Sequence, residues 1–392
     1  MSKPIYLDNQ STTPIDPKVL DAMIPFFVEK FGNASSIHHS YGQESKDAVE
    51  KARSFLANAI NAQKREIIFT SGATEAINLA LKGIVETYTK NKHIITQSTE
   101  HNAVLDTCSS IARKGWSVTK VPVDLNGFVN PKSILESIND QTVLVSVMHA
   151  NNEIGSIQPI KEIGKICKDN NILFFVDACQ SFGKLDIDVE EMNINMLAAT
   201  AHKLYGPKGI GFLYISQKKP RIDLKMQIDG GGHERGYRSG TLSVPLIIGF
   251  SKALEICLNQ RESEDIKLKK LRNRLFEGIK NSHPDIILNG SLEKRLNHNL
   301  NVCFPGLDAE TIIMKMKGIA CSTGSACSSM NLEPSHVIKA LGYTNELAHS
   351  AIRFSLGRFN TDKEIDRSIR IINETVKHIR MKKSKRKNRF SN

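Results

Sequence analysis

Five consecutive apolar residues, Ile172-Leu173-Phe174-Phe175-Val176, run straight into an aspartate, Asp177. A run this short, with no polar alternation, predicts a strand buried on both faces, the condition of a parallel sheet whose crossovers are helices. The same grammar recurs along the first half of the chain. Residues 66–70, 93–97, 142–149, 196–200 and 209–215 read as strands, and 116–123 as extended chain. Between them lie helical patterns: one runs from the Ser71-Gly72-Ala73-Thr74 turn to about residue 89, one is closed by Gly115, and one spans 159–170. The alternation predicts an α/β fold with a mostly parallel sheet covered by helices on both faces.

Asp16-Pro17 opens a helix before this region. Residues 45–60 then form an amphipathic helix with Val49, Ala52, Phe55, Leu56, Ala59 and Ile60 on one stripe. After Gly240 the pattern changes. An apolar helix over 244–259 and a highly charged one over 260–280 lead toward a second domain. That domain has strands at 285–288, 299–304 and 351–356 and helices near 308–317 and 334–341. Thr361 and Glu364 have capping-box spacing at the start of the last helix. The expected organisation is a large domain over 16–258, a smaller α+β domain from 1–15 with 259–380, and a basic tail over 381–392.

Half of the net charge of +12 sits in that tail, as Lys382, Lys383, Lys385, Arg386, Lys387 and Arg389 with no acid. Such a segment is expected to be disordered and solvated. RNA binding by it is disfavoured, because no aromatic residues interleave with the charges. Seven cysteines, an odd number without a C-x-x-C pair, argue against a disulfide framework or a zinc ribbon and for a reducing, cytoplasmic setting. No apolar run is long enough to span a bilayer and no secretory leader is evident, so no membrane partner is expected.

In open α/β sheets, ligands bind at the carboxyl ends of the strands. The ends here carry Ser71-Gly72-Ala73-Thr74, His101, Asn152, Asp177 with Gln180, and His202-Lys203. A lysine among Ala198, Ala199, Ala201 and Leu204 is expected to have a depressed pKa and a nucleophilic amine that traps a carbonyl. Ser-Gly-Ala-Thr at a helix start offers main-chain N–H groups, a hydroxyl and the positive end of the helix dipole to a phosphate. Asp177 would be satisfied by a helix cap, and better by a pyridinium N–H; His101 reads either as a plain polar loop residue or as an imidazole that stacks on an aromatic cofactor. Nucleotide-binding glycine motifs are absent. Lysine, aspartate and phosphate-binding helix start together point to pyridoxal 5′-phosphate (PLP) as cofactor.

These residues belong to a longer series of motifs. Tyr6-Leu7-Asp8, Ser71-Gly72-Ala73-Thr74-Glu75, Thr99-Glu100-His101, Asn151-Asn152-Glu153-Ile154-Gly155, Asp177-Ala178-Cys179-Gln180 and Ala201-His202-Lys203-Leu204-Tyr205-Gly206-Pro207-Lys208-Gly209 come first. Gly231-Gly232-His233-Glu234-Arg235-Gly236, Arg238-Ser239-Gly240-Thr241, Gly324-Ser325-Ala326-Cys327 and Arg353-Phe354-Ser355-Leu356-Gly357-Arg358 follow in order. The set resembles the NifS/IscS-type cysteine desulfurases, class V aminotransferase-like enzymes of PLP fold type I, over the chain to about residue 375.

The resemblance implies a homodimeric PLP enzyme that removes sulfur from L-cysteine, leaving L-alanine and a persulfide on Cys327 for iron–sulfur cluster assembly or tRNA thiolation. By motif, Lys203 would bind the cofactor aldehyde, Asp177 the pyridinium nitrogen and His101 the ring face. Gln180 would bond the ring hydroxyl, with Asn152 near it. Ala73, Thr74, Thr200 (where the family usually has serine) and His202 would hold the phosphate, joined by Thr241 of the other subunit. Arg353 would clamp the substrate carboxylate, with Asn33 assisting. Cys327, on a loop of about 321–333 in the smaller domain, would be the nucleophile; Cys321 is read as incidental, and Cys179 and Cys303 as packing residues. No resident metal is implied, although Cys327 would be a candidate transient ligand of an iron–sulfur cluster. A sulfur-acceptor protein such as an iron–sulfur scaffold is the implied partner, and the basic tail stands where housekeeping members carry a scaffold-docking stretch. The alternative is a selenocysteine lyase, or another PLP lyase or transaminase on the same scaffold.

Overall fold

The six runs read as strands between residues 66 and 215, and the one read as extended chain, all lie in one sheet. The computed structural model describes residues 3–90, 92–218, 221–323 and 333–390, with side chains described to residue 384. The chain begins with β1 (Ile5–Tyr6), α1 (Pro17–Met23), α2 (Pro25–Val28), α3 (Ser40–Asn58), β2 (Ile67–Thr70) and α4 (Ala73–Thr87). It continues through β3 (His93–Gln97), α5 (Asn102–Ala112), β4 (Ser117–Val121), α6 (Pro131–Ser137) and β5 (Thr142–Ser146). Next come α7 (Ile160–Asp169), β6 (Leu173–Asp177), β7 (Met196–Thr200), β8 (Gly211–Ile215) and α8 (Val244–Ser282). The last part holds β9 (Ile287–Leu288), β10 (Asn299–Cys303), α9 (Ala309–Lys315), β11 (Ile319–Ala320), α10 (His336–Ala340), α11 (Asn345–Ala348), β12 (Ala351–Ser355) and α12 (Asp362–Phe390).

The large sheet has the order β2-β8-β7-β6-β5-β3-β4. Its β8 runs antiparallel to both neighbours, and the remaining pairs are parallel. Strand β6 shows why its sequence had to be continuously apolar. Phe174 and Val176 enter one buried layer with α1, α3, α7 and the first half of α8. Leu173 and Phe175 enter the opposite layer with α4 and α5. A third cluster gathers Ile5 and Leu7 with the second half of α8, β10, α9, β12 and α12.

Two expectations are corrected. The apolar and charged segments on either side of residue 259 form one continuous helix of 39 residues, α8. Its first half packs on the large sheet and its second half on the third cluster. The basic segment expected to be disordered from residue 381 continues α12 as far as Phe390. Lysine and arginine are good helix formers, and cations at a helix C-terminus are favoured by its dipole. The capping box at Thr361 and Glu364 forms in both directions. Among the described residues no helix is long and apolar enough to cross a membrane.

A buried ion pair fastens the loop before α8 to the sheet. Arg53 of α3 donates to both carboxylate oxygens of Glu234, at 2.6 and 2.7 Å, and to the carbonyl of Ile67. Glu234 also accepts the Phe69 N–H of β2 at 2.7 Å. Both partners are nearly inaccessible, and Glu234 and Arg235 adopt left-handed backbone angles, φ 49° and 57°. That conformation persists only where surrounding contacts over-determine it. Arg53→Met leaves the Glu234 carboxylate unpaired and is expected to cost about 3–5 kcal/mol of stability. Urea denaturation measures it, and an unchanged midpoint would refute this account of the loop.

Candidate active site

Adjacent parallel strands deliver the two central groups. β6 ends in Asp177, and its neighbour β7 runs into a short turn, Ala201–Lys203, that carries Lys203. The Lys203 amine donates to the carbonyls of Gln10 and Ser11 at 2.5 and 2.6 Å. Burial, then the nearby Arg353 charge, pulls its pKa down to about 8. The free-amine form is thus accessible near neutral pH, as a nucleophile or base requires.

The N-terminal segment forms one wall. Thr13 bonds the carbonyl of His202 through both its N–H and its hydroxyl, and its hydroxyl oxygen accepts the Tyr205 N–H at 2.7 Å. Tyr205 is left-handed, φ 62°, and is held by that bond and by Arg358, whose guanidinium lies 4.3 Å from the ring centre. The segment is in turn fixed to β12: Gln10 donates its N–H to the Ser355 hydroxyl, and Asn9 bonds the Ser355 carbonyl.

Around the lysine the polar atoms are partly unspent. Gln180 donates to the Gln10 carbonyl at 3.0 Å, while its Oε1 and the Oδ1 of Asn152 are buried without a partner in the chain. Native proteins rarely leave such acceptors unpaired, so water or a ligand is expected there. Asp177 accepts the Cys179 N–H at 2.9 Å. His101 caps α5, its Nδ1 accepting the Ala103 N–H, which leaves the ring proton on Nε2 in the neutral form. Burial lowers the pKa of His101 and favours that neutral form. Next to it, burial and then Asp177 push the fully buried Glu100 carboxyl well above the usual range.

Helix α4 starts at Ala73 and Thr74 with no side-chain cap. Gly72 before it has φ 156°, and a Cβ on Gly211 of β8 would fall 2.8 Å from the Gly72 backbone, so both positions demand glycine. Thr200 bonds the Ile210 carbonyl, and His202 shares a 3.1 Å hydrogen bond with Thr12. Burial brings the His202 pKa down to about 3, keeping it neutral.

Arg353 of β12 enters the same region. It donates to the Asn152 carbonyl at 2.7 Å, to Asp8 at 2.8 Å and to the Ser11 hydroxyl at 2.6 Å, while its Nε has no partner in the chain. Hydrogen bonds and strand pairing therefore bring together Lys203, Asp177, Gln180, Asn152, Thr200, His202 and Arg353. Two expected residues are not joined to them within one chain: Asn33 lies on an exposed loop bonded to Ser35, and Thr241 is exposed. Cys327 lies outside the described residues.

Sequence reasoning missed Gln10 and Ser11, whose carbonyls hold the amine, and the pair Glu153–Ser335. Ser335 donates to the buried Glu153 carboxyl at 2.5 Å, and the neighbouring His336 bonds the Glu100 carbonyl. The polar run Asn9-Gln10-Ser11-Thr12-Thr13 between a strand and a helix was the available signal, since Asn9, Gln10 and Thr13 are all buried.

A family model described as Aminotransferase class-V matches residues 5–367. "Cysteine desulfurase IscS" of Anaeromyxobacter dehalogenans (strain 2CP-C) is 47% identical over 381 residues, 97% of this chain and 94% of that protein. The protein of the same name from Rickettsia prowazekii (strain Madrid E) is 48% identical over 381 residues, 97% of this chain and 93% of its own. Among solved structures, one named "NIFS-LIKE PROTEIN" superposes with a TM-score of 0.89 at 37% identity, over 96% of this chain and all of that one. Another, "SspA in complex with cysteine", has a TM-score of 0.80 at 35% identity, over 91% of this chain and all of its own.

The position of the Lys203 pKa is directly measurable. Below pH 8 the amine is mostly ammonium and unreactive; above it the free amine attacks carbonyls. Trapping by a small aldehyde with borohydride, read by peptide mass spectrometry, should rise with a midpoint near 8, against about 10.4 for a surface lysine. A surface-like midpoint would show that burial does not govern this amine.

Proposed function

We propose, for a chain that belongs to the aminotransferase class-V family and within it to the cysteine desulfurases, that PLP is held by Lys203 and Asp177 and that L-cysteine sulfur passes to Cys327. The observation that carries the reading is the Lys203 amine, poised near neutrality at the end of β7 beside Asp177 at the end of β6. The unpaired acceptors fit the cofactor: Gln180 Oε1 and Asn152 Oδ1 are buried and free to take a ring hydroxyl and its surroundings. The start of α4 at Ala73 and Thr74 has no capping side chain and offers N–H groups to a phosphate. Thr200 and His202 would complete that end, with Thr241 of the partner subunit. Bound there, PLP would supply an aldehyde carbon for Lys203 and a ring that draws electrons from the substrate α-carbon.

The chain's own groups then have defined tasks. Asp177 keeps the ring nitrogen protonated, and neutral His101 covers the ring face. Arg353, held by Asp8 and the Asn152 carbonyl, turns its remaining N–H groups to the substrate carboxylate. The Lys203 amine takes the α-proton onto Nζ. Cys327, as thiolate, attacks the substrate sulfur: the S–S bond forms as the Cβ–S bond breaks, Cβ takes the electron pair and a proton, and Nζ returns a proton to Cα to complete alanine.

A homodimer is part of this reading. Leu20, Ile24, Phe27, Val28, Phe31 and Tyr41 stand open to solvent on one short stretch, an apolar surface a lone soluble chain rarely exposes. A cytoplasmic setting is supported by the described cysteines, all of them free. The selenocysteine-lyase alternative is not favoured, because the relatives named above are cysteine desulfurases.

Incubation with L-cysteine and PLP is expected to yield alanine and a persulfide on Cys327, both read by mass spectrometry. Cys327→Ala should lose the persulfide and at least about 10²-fold in alanine formation. Undiminished alanine from that variant would instead favour the lyase alternative. Sedimentation should give twice the chain mass, and Phe27→Glu with Phe31→Glu should shift it toward one; a monomeric wild type would sink the dimer.

A further inference from the structure

Beside Lys203 lies a small cavity that the tasks above leave unused, its wall mostly apolar (Leu268, Leu356, Cys257) with several polar groups among them. It has a volume of about 30 Å³, and Lys203, Lys184, His298, Glu264, Asn9 and Thr13 are in its wall. That is room for about two waters. The wall passes from the buried Asn9, Thr13 and His298 to the partly exposed Lys184 and Glu264 of the sequence after β6 and of α8. Lys184 and Glu264, partly exposed like Lys203 itself, are where this wall approaches solvent. The His298 ring is buried with Nε2 unpartnered in the chain, a polar atom that a cavity water would satisfy.

We propose that this cavity is a proton-exchange route, in which water linked to His298 and Lys184 connects the Lys203 amine with bulk solvent during turnover. The inference rests on the reading of Lys203 as the group that takes the α-proton. The substrate Cα–H bond breaks and its proton makes Nζ an ammonium. That ammonium exchanges its protons repeatedly with the cavity water, and one proton from Nζ then re-forms the Cα–H bond of alanine as Nζ returns to the free amine. Lys184 suits the outer position. Burial lowers its pKa to about 8, so the free-amine form that accepts a proton is accessible near neutral pH. Burial holds His298 neutral, able to accept and donate within the relay.

The test follows the substrate's own hydrogen. The PLP-loaded enzyme is given L-cysteine deuterated at Cα, in ordinary water, and the deuterium per alanine formed is measured by mass spectrometry. Wild-type enzyme is expected to make nearly unlabelled alanine. Lys184→Met and His298→Leu, which replace the relay groups with carbon, should raise retention toward about one third, the share of one deuteron among the three ammonium positions. His298→Gln, which keeps a donor and an acceptor, should stay near wild type. Retention near one third in the wild type, or variants as unlabelled as the wild type, would overturn the route. Because the readout is a ratio per product molecule, slower variants remain informative, and Lys184→Met, at a partly exposed position, decides if the buried His298→Leu does not fold. If the wild type makes no alanine from cysteine, the desulfurase reading fails, not the route.

Discussion

Two main-chain carbonyls, of Gln10 and Ser11, receive the Lys203 amine, and what holds them there comes from the far end of the chain. Ser355 pairs with Leu7, Asn9 and Gln10; Arg353, two residues earlier on the same strand, bonds Asp8 and Ser11. β12 itself is fixed in register against β10. The amine at the end of β7 is thus placed by contacts between residues roughly 345 apart. Both carbonyls would stabilise an ammonium. Burial and the Arg353 charge outweigh them, and the balance leaves the amine poised rather than fixed in one state.

Around that amine, burial disfavours charge on most titratable groups. Burial lowers His101, His149, His202 and His298 and raises Glu100 and Glu153. A buried charge is tolerated only with a partner. Arg353 has one in Asp8, and Arg358 has two in Asp16 and Glu264. The neutral histidines next to these pairs present fixed dipoles rather than charges. Glu153 illustrates the arrangement. Its buried carboxyl takes the Ser335 hydroxyl while the neighbouring Asn152 carbonyl takes Arg353, so one short loop meets two distant segments.

Much of this was legible in the residues. The run Ile172–Val176 had to lie between two apolar layers because it offers no polar face, and Asp177 had to mark its end. The small and apolar residues flanking Lys203 announced an amine with a depressed pKa. The continuity of α8 was hidden, because polarity changes at residue 259 whereas helix propensity does not; hydrophobicity reports what a helix packs on, not where it stops. The hold of Gln10 and Ser11 on Lys203 was unreadable for a different reason. Backbone carbonyls have no letter, so only tertiary structure reveals their use. Asn33 and Thr241 came from family likeness alone, and a single chain leaves both exposed.

The thiols lead to the same division of labour. Burial raises the pKa of every described cysteine, to about 12 for Cys108, Cys167 and Cys321 and upward for Cys179, Cys257 and Cys303. A thiol is nucleophilic only as thiolate, so none of these six can attack sulfur near neutral pH. Cys179, beside Asp177, is disfavoured twice, by burial and by the carboxylate next to it. Cys327 is the remaining cysteine of the seven. The same burial that makes Lys203 reactive, by disfavouring its charged form, makes the interior thiols inert by disfavouring theirs, and so separates the amine's task from the sulfur acceptor's.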